Sequence, residues 1–286
     1  MKKYLKMMRV HHYMKNILVF AALACSGKLL HGGLFLRCLL GFAAFCMISS
    51  VVYIINDIRD VEKDRNHPTK CNRPIASGTV SIPKAWCTAG ILAGGGLVCC
   101  CILHNWQAGA MLGSYLILNI GYSFGLKDIP LVDISILVSG FLIRVAFGAI
   151  ITDIWVSNWL YLTVMTMALY LALGKRRNEW LRSKDGTTRK VLKAYPVEFL
   201  DKSMWMCLTL AIVFYTLWST DVKTIAAYHT DRLVFTVPIV LLITFRYSMN
   251  LEGASDGDPV EVLLHDWVLL WLCLLLAAVL FVMLYL

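Results

Sequence analysis

Asn56, Asp57, Asp60 and Asp64 are spaced so that one amide and three carboxylates share one side of a helix. At about 100° per residue the four fall within an arc of roughly 100°. Acids crowded in this way repel one another unless a cation lies between them. Hard oxygen donors at that density suit Mg2+, which takes one or two carboxylates directly and completes its shell with water or phosphate oxygens. Lys63, Arg65, Lys70 and Arg73 follow within the stretch from Asn56 to Gly78, NDIRDVEKDRNHPTKCNRPIASG. One segment therefore carries donors for a metal and cations for an anion that the metal would bridge. A solvated loop of mixed charge is the plain alternative, and like charges stacked on one helical face argue against it.

Three other stretches carry polar chemistry. From Tyr122 to Arg144 the chain reads YSFGLKDIPLVDISILVSGFLIR. Gly125 and Pro130 interrupt the helix there, Lys127 and Asp128 sit in the break, and Asp133 opens the next helix near its positive end. Arg144 lies three helical turns beyond Asp133 in apolar surroundings, where it needs either a carboxylate that ties helices together or an anion in a cavity. From Leu173 to Lys190, LGKRRNEWLRSKDGTTRK presents Lys175, Arg176 and Arg177, then Glu179 and Asp185. Such a basic exit anchors a span at the inner membrane surface, or forms a basic wall opposite the carboxylates that clamps a molecule with two separated phosphate groups. The segment from Glu252 to Asp266 is acidic and contains Gly253 and Gly257, a composition that suits a lid.

The elements that must position these residues are membrane helices. Of 286 residues 59% are hydrophobic and 16% charged, a balance too apolar for a soluble domain. Nine stretches approach the length that crosses about 30 Å of hydrocarbon: 16–31, 34–55, 83–103, 107–124, 131–152, 157–174, 204–220, 231–247 and 266–286. The first is expected to be a retained helix rather than a cleaved signal, because charges flank it and no small-residue cleavage site follows. Of the 27 Lys and Arg, only Lys28, Arg37, Lys223 and Arg232 fall on the outer side if the N-terminus is cytoplasmic. Arg144 lies within a span, and the remaining 22 are inside. That bias predicts nine spans with every polar cluster at one cytoplasmic mouth, in a single domain covering 1–286. One-sided chemistry speaks for an enzyme over a transporter, which places polar groups at the midplane. The net charge of +9 fits contact with anionic lipid, and no nucleic-acid partner is expected. Ten cysteines, including Cys99, Cys100 and Cys101 in an apolar run, read as small hydrophobes and form no paired CxxC pattern for zinc or disulfides.

The stretch NDIRDVEKDRNHPTKCNRPIASG resembles the first aspartate-rich motif of the UbiA superfamily of intramembrane prenyltransferases, and the nine expected spans match that superfamily along nearly the whole chain. HHYMKNILVF, YSFGLKDIPLVD, FLIR and LGKRRNE are similar to the branch that moves phosphoribose from phosphoribosyl pyrophosphate to a polyprenyl phosphate. The aromatic-prenylating branch has a second aspartate-rich motif where this chain has Lys175, Arg176 and Arg177.

The resemblance implies an all-α bundle of nine transmembrane helices and an Mg2+-dependent glycosyl transfer at the plasma membrane. It implies Asn56, Asp57, Asp60 and Asp64 as metal ligands, with Asp133 or Asp128 stabilising positive charge on the sugar ring. Lys15, Lys70, Arg73, Tyr122, Lys127, Arg144, Lys175 and Arg176, with Asn56, are then expected to bind the two phosphorylated substrates. A prenyl transfer to an aromatic or quinone precursor is the alternative activity. A homo-oligomer is compatible with either.

Overall fold

The computed structural model describes residues 2–182, 190–253 and 259–285. Among them there are helices and no strands. Thirteen α-helices follow in order: α1 (Lys2–Met8), α2 (Ala21–Ala24), α3 (Gly32–Arg59), α4 (Val61–Arg65), α5 (Ile82–Leu103), α6 (Trp106–Ser123), α7 (Val132–Thr152), α8 (Asn158–Arg182), α9 (Val197–Thr220), α10 (Val222–Tyr228), α11 (Val237–Glu252), α12 (Pro259–His265) and α13 (Trp267–Tyr285). Among the described residues, five helical stretches are long and apolar enough to cross a membrane: Gly32–Arg59, Ile82–Leu103, Val132–Thr152, Arg232–Glu252 and Trp267–Tyr285. The stretches expected at 107–124, 157–174 and 204–220 are helical as α6, α8 and α9.

The first expected span is different. In place of one helix over 16–31, a 3-10 run covers Val10–Phe20 and the four-residue α2 follows. Hydropathy reports affinity for lipid, not the hydrogen-bond pattern, and this segment meets close neighbours. The Val19 carbonyl oxygen lies 1.9 Å from where a Cβ on Gly148 would stand, so α7 touches the 3-10 run backbone to backbone.

The chain divides into two compact units. The first comprises Met1–Leu23, His31–Leu126 and Ile143–Ile154. Here α3 packs on α5, α6, α1 and the 3-10 run. Met7, Val51, Ile54, Ile75, Val80, Ala85 and Ala89 form a core beneath the polar stretch. The loop after α4 is stapled into that core by Ile75 and Val80, and Ala76 between them is also buried. Its turns are closed by backbone bonds from Ser77 N–H to the Arg73 carbonyl at 2.9 Å and from Val80 N–H to the Pro74 carbonyl at 2.8 Å. Pro83 near the start of α5 fits a first turn, where a missing N–H has no partner to lose.

The second unit comprises Ala24–Leu30, Lys127–Leu142 and Trp155–Leu286. It is organised by the α8–α9 pair and by α11 on α13. Ile134, Tyr170, Leu173, Leu200, Met204, Tyr247 and Leu251 lie in its core. The Tyr285 hydroxyl donates to the Ala24 carbonyl at 2.7 Å and accepts from Leu29 N–H at 3.3 Å, which ties the end of α13 to the 24–30 segment. Asp266 caps α13, accepting from Val268 N–H at 2.9 Å and Leu269 N–H at 3.2 Å.

Candidate functional site

In the first unit the carboxylate face is built by a broken helix. Sequence spacing predicts one helix through Asn56 and Asp64; instead α3 ends at Arg59, Asp60 sits at the joint with φ −90° and ψ 11°, and α4 restarts at Val61. The helical bonds persist across the joint, from Asp60 N–H to the Asn56 carbonyl at 2.9 Å and from Asp64 N–H to the Asp60 carbonyl at 2.8 Å, so the acids keep a common side. Asp57 and Asp64 are buried, at 2% and 3% exposure. Both reach one guanidinium atom: Arg73 Nη1 is 3.1 Å from Asp57 Oδ1 and 2.6 Å from Asp64 Oδ2.

Local sequence puts Arg73 there. A residue before proline is pushed to extended backbone, and Arg73 has φ −68° and ψ 142° ahead of Pro74. Upstream, His67 Nδ1 accepts from the backbone N–H of Thr69 at 3.3 Å and of Lys70 at 3.4 Å. Burial and the neighbouring Lys70 charge lower the His67 pKa, which keeps that nitrogen an acceptor near neutral pH. A second guanidinium comes from Arg9, whose Nη2 is 2.6 Å from Asp57 Oδ1.

Asn56 turns elsewhere, its Oδ1 accepting from the Ser123 hydroxyl at 3.1 Å. Asp60, Lys15, Lys70 and Tyr122 are half-buried residues of the same unit. Arg144 is buried between rings, its guanidinium 4.8 Å from the Phe45 centroid and 5.0 Å from that of Tyr115. Its Nε donates to Asn16 Oδ1 at 2.8 Å and its Nη2 to the Tyr115 hydroxyl at 3.2 Å.

Among the described residues no three acidic, histidine or cysteine side chains converge as a preformed metal site. The Asp57 and Asp64 oxygens do converge, on a guanidinium nitrogen, and a cation already bridges them there. Two buried carboxylates aimed at one cation, with Asp60 and the Asn56 amide next to them in the chain, are donors that fit a hard divalent ion.

The second unit holds a separate buried network. Asp133, at 0% exposure, accepts from Arg176 Nε at 2.7 Å through Oδ2 and from the Tyr195 hydroxyl at 2.6 Å through Oδ1. Arg176, at 1% exposure, also pairs with Glu179 Oε2 at 2.8 Å. Burial, and then the hydrogen bond to Asp133, pushes the Tyr195 phenol up to about 12. Arg177 pairs with Asp201 and with Glu252, the latter at 2.9 Å. Of the expected basic wall, Arg176 and Arg177 are thus each held by two carboxylates, while Lys175 and Lys127 are half-buried and Asp128 is exposed. Loop composition counts only nearby charge, and Asp133, Asp201 and Glu252 arrive from α7, α9 and α11. Asp185 and residues 254–258 of the segment expected to act as a lid lie outside the described residues, and the rest of that segment includes α12.

Arg9 and Tyr195 were not singled out by sequence reasoning. Nothing local marks Arg9 among the basic residues before the first apolar stretch, and Tyr195 meets Asp133 across 62 positions. The model of the UbiA prenyltransferase family matches residues 16–286. The chain belongs to the UbiA prenyltransferase family. It is 34% identical to the decaprenyl-phosphate phosphoribosyltransferase of Mycolicibacterium smegmatis, over 93% of this chain and 87% of that protein. It is 33% identical to the enzyme of the same name from Mycobacterium tuberculosis, over 94% of this chain and 90% of that one. The structure of a UbiA homolog from Archaeoglobus fulgidus bound to GPP and Mg2+ superposes with a TM-score of 0.72 over 99% of both chains at 16% identity. This UbiA chain is accordingly a membrane-embedded transferase with the all-helical fold of its family.

Proposed function

We propose that this UbiA protein transfers a 5-phosphoribosyl group from phosphoribosyl pyrophosphate to a polyprenyl phosphate, releases pyrophosphate, and requires Mg2+. The buried Asp57 and Asp64 carboxylates, sharing one cation and flanked by two arginines, carry the reading on the structural side. The names of the relatives that are 32–34% identical over most of both chains support the phosphoribosyl donor and the lipid phosphate acceptor. Charge counting in the 175–177 stretch supports it less, because Arg176 and Arg177 are already paired.

Asp57, Asp60, Asp64 and Asn56 would hold the metal. When bound it would neutralise charge on the departing pyrophosphate. Arg73 and Lys70 would supply cations for the same group, and Lys15, Tyr122, Arg144, Lys127 and Lys175 are the residues proposed to bind the substrates' other polar groups. A phosphate oxygen of the acceptor forms the new bond to the ribose C1 as the C1–pyrophosphate bond breaks. That oxygen is already anionic near neutral pH, so no strong general base is needed. Positive charge developing on the ring calls for a carboxylate. Both oxygens of Asp133 already accept hydrogen bonds, so Asp128, which is exposed, suits that task better.

Purified protein incubated with labelled phosphoribosyl pyrophosphate and a polyprenyl phosphate is expected to move the label into a lipid extract in an Mg2+-dependent way. Transfer of label only from a prenyl pyrophosphate to an aromatic or quinone acceptor would sink this proposal and establish the prenyl alternative. Nine spans, a cytoplasmic mouth and a plasma-membrane location belong to the same proposal and rest on the 22 inner against four outer basic residues.

A further inference from the structure

Arg9 occupies an unusual place for a surface cation. It joins α1 to the 3-10 run with φ 53° and ψ 52°, the left-handed region that a non-glycine residue enters only when its surroundings hold it there. Ser50 holds it from both sides: the Ser50 hydroxyl donates to the Met8 carbonyl at 3.1 Å and is 2.7 Å from the Tyr13 hydroxyl. Lys6 Nζ ties the preceding helix to the Asn72 carbonyl at 3.0 Å. The strained joint aims the guanidinium over the Tyr53 ring, 4.8 Å from its centroid, and onto Asp57 Oδ1 at 2.6 Å.

That oxygen also receives Arg73 Nη1 at 3.1 Å. A divalent ion held by that carboxylate would compete with both guanidinium groups for the same oxygen. Arg73 can withdraw to Asp64, to which it is bonded at 2.6 Å. Asp57 is the carboxylate partner of Arg9 among the described residues.

Resting on the metal reading above, we infer that Arg9 is the resident counter-cation of Asp57, displaced when the divalent ion binds and then turned as a planar fork onto the pyrophosphate. Arg9 is thus a positioning residue for the carboxylate in one state and a ligand of the donor in the next. Its guanidinium matches phosphate oxygens two at a time, which a lysine cannot do.

The exchange has a signature of opposite signs. Removing the competing cation tightens the metal site when no anion is present, and weakens anion binding once the metal is there. A merely structural ion pair weakens both or neither. The probes are Mn2+ alone and then inorganic pyrophosphate at saturating Mn2+, titrated into the full-length protein in detergent. Arg9→Gln is expected to lower the half-saturating Mn2+ concentration about tenfold, equivalent to roughly 1.4 kcal/mol, and to raise that of pyrophosphate by a similar factor. Arg9→Lys, which keeps the charge and loses the fork, is expected to leave Mn2+ binding near wild type and still weaken pyrophosphate, and it carries the test should the glutamine variant not fold. Mn2+ affinity unchanged or weakened in Arg9→Gln, or pyrophosphate affinity unchanged in both variants, overturns the exchange while the metal site stands. Wild-type protein that binds no Mn2+ with or without pyrophosphate removes the metal reading and this inference with it.

Discussion

At the scale of residues, the two buried networks call for different consequences when broken. Asp64 shares Arg73 with Asp57, so Asp64→Ala leaves the guanidinium a partner. Turnover is expected to fall on the order of a hundredfold or more while the thermal unfolding transition in detergent persists; retained Mg2+-dependent turnover would remove Asp64 from the reaction. Arg176 is the reverse case, because its loss strands Asp133 at 0% exposure. Arg176→Ala is expected to destabilise by about 3–5 kcal/mol, and an unfolding temperature equal to wild type would show the pair to be dispensable. Tyr195 adds a pH signature. Its folded pKa, about 12, lies above its unfolded value near 10, so its contribution is complete below pH 10 and is lost as pH rises through 12. Tyr195→Phe is expected to cost roughly 1.5–3 kcal/mol at neutral pH, as for a hydrogen bond to a charged group, with the gap to wild type closing in that alkaline window; a gap constant with pH would deny the phenol this role. The acids of the first network were legible in the sequence because a helical period is local information. Their partners were not: Arg9 reaches Asp57 across 48 positions, and Asp133, Asp201 and Glu252 neutralise arginines whose own neighbourhood looks uniformly basic.

At the scale of elements, helices that hydropathy marks strongly were readable, and the joints between them were not. The stretch 34–55 falls within α3, and 83–103 within α5, because long apolar runs have one way to satisfy their backbone in lipid. The apolar stretch at 16–31 offers the same composition and becomes a 3-10 run and a short helix, held where α7 approaches it at Gly148. This contact is specific enough to test. A Cβ at Gly148 would meet the Val19 carbonyl carbon at 2.8 Å and its oxygen at 1.9 Å, backbone atoms that no rotamer change can clear. Gly148→Ala is expected to cost at least about 3 kcal/mol, at or above the usual range for overpacking, and to lower the yield of folded protein from the membrane. Gly90→Ala on α5, whose Cβ would have nothing within 4 Å, is the matched control expected to behave as wild type. Equal stability of the two variants would mean that the 3-10 run does not lie against α7.

For the whole molecule, access to the donor depends on which membrane face carries the polar stretch. A phosphorylated sugar donor is soluble and charged, so an enzyme that uses it must open its metal-binding side to the compartment that holds the donor, while an acceptor with a polyprenyl tail stays in the bilayer. The distribution of Lys and Arg is the ground on which we propose that this side is cytoplasmic. Cys71, half-buried in the loop between α4 and α5, reports on it directly. The turn between α5 and α6 would then lie on the opposite face, where His104 is exposed with φ 49°. A membrane-impermeant maleimide applied to intact spheroplasts is expected to modify the introduced thiol of His104→Cys and to spare Cys71, which reacts only after permeabilisation. Peptide mass spectrometry resolves the two from the other cysteines. Labelling of Cys71 in intact cells with His104→Cys protected would invert the chain, place the acidic stretch outside, and leave no route by which a cytosolic phosphoribosyl donor reaches Asp57 and Asp64.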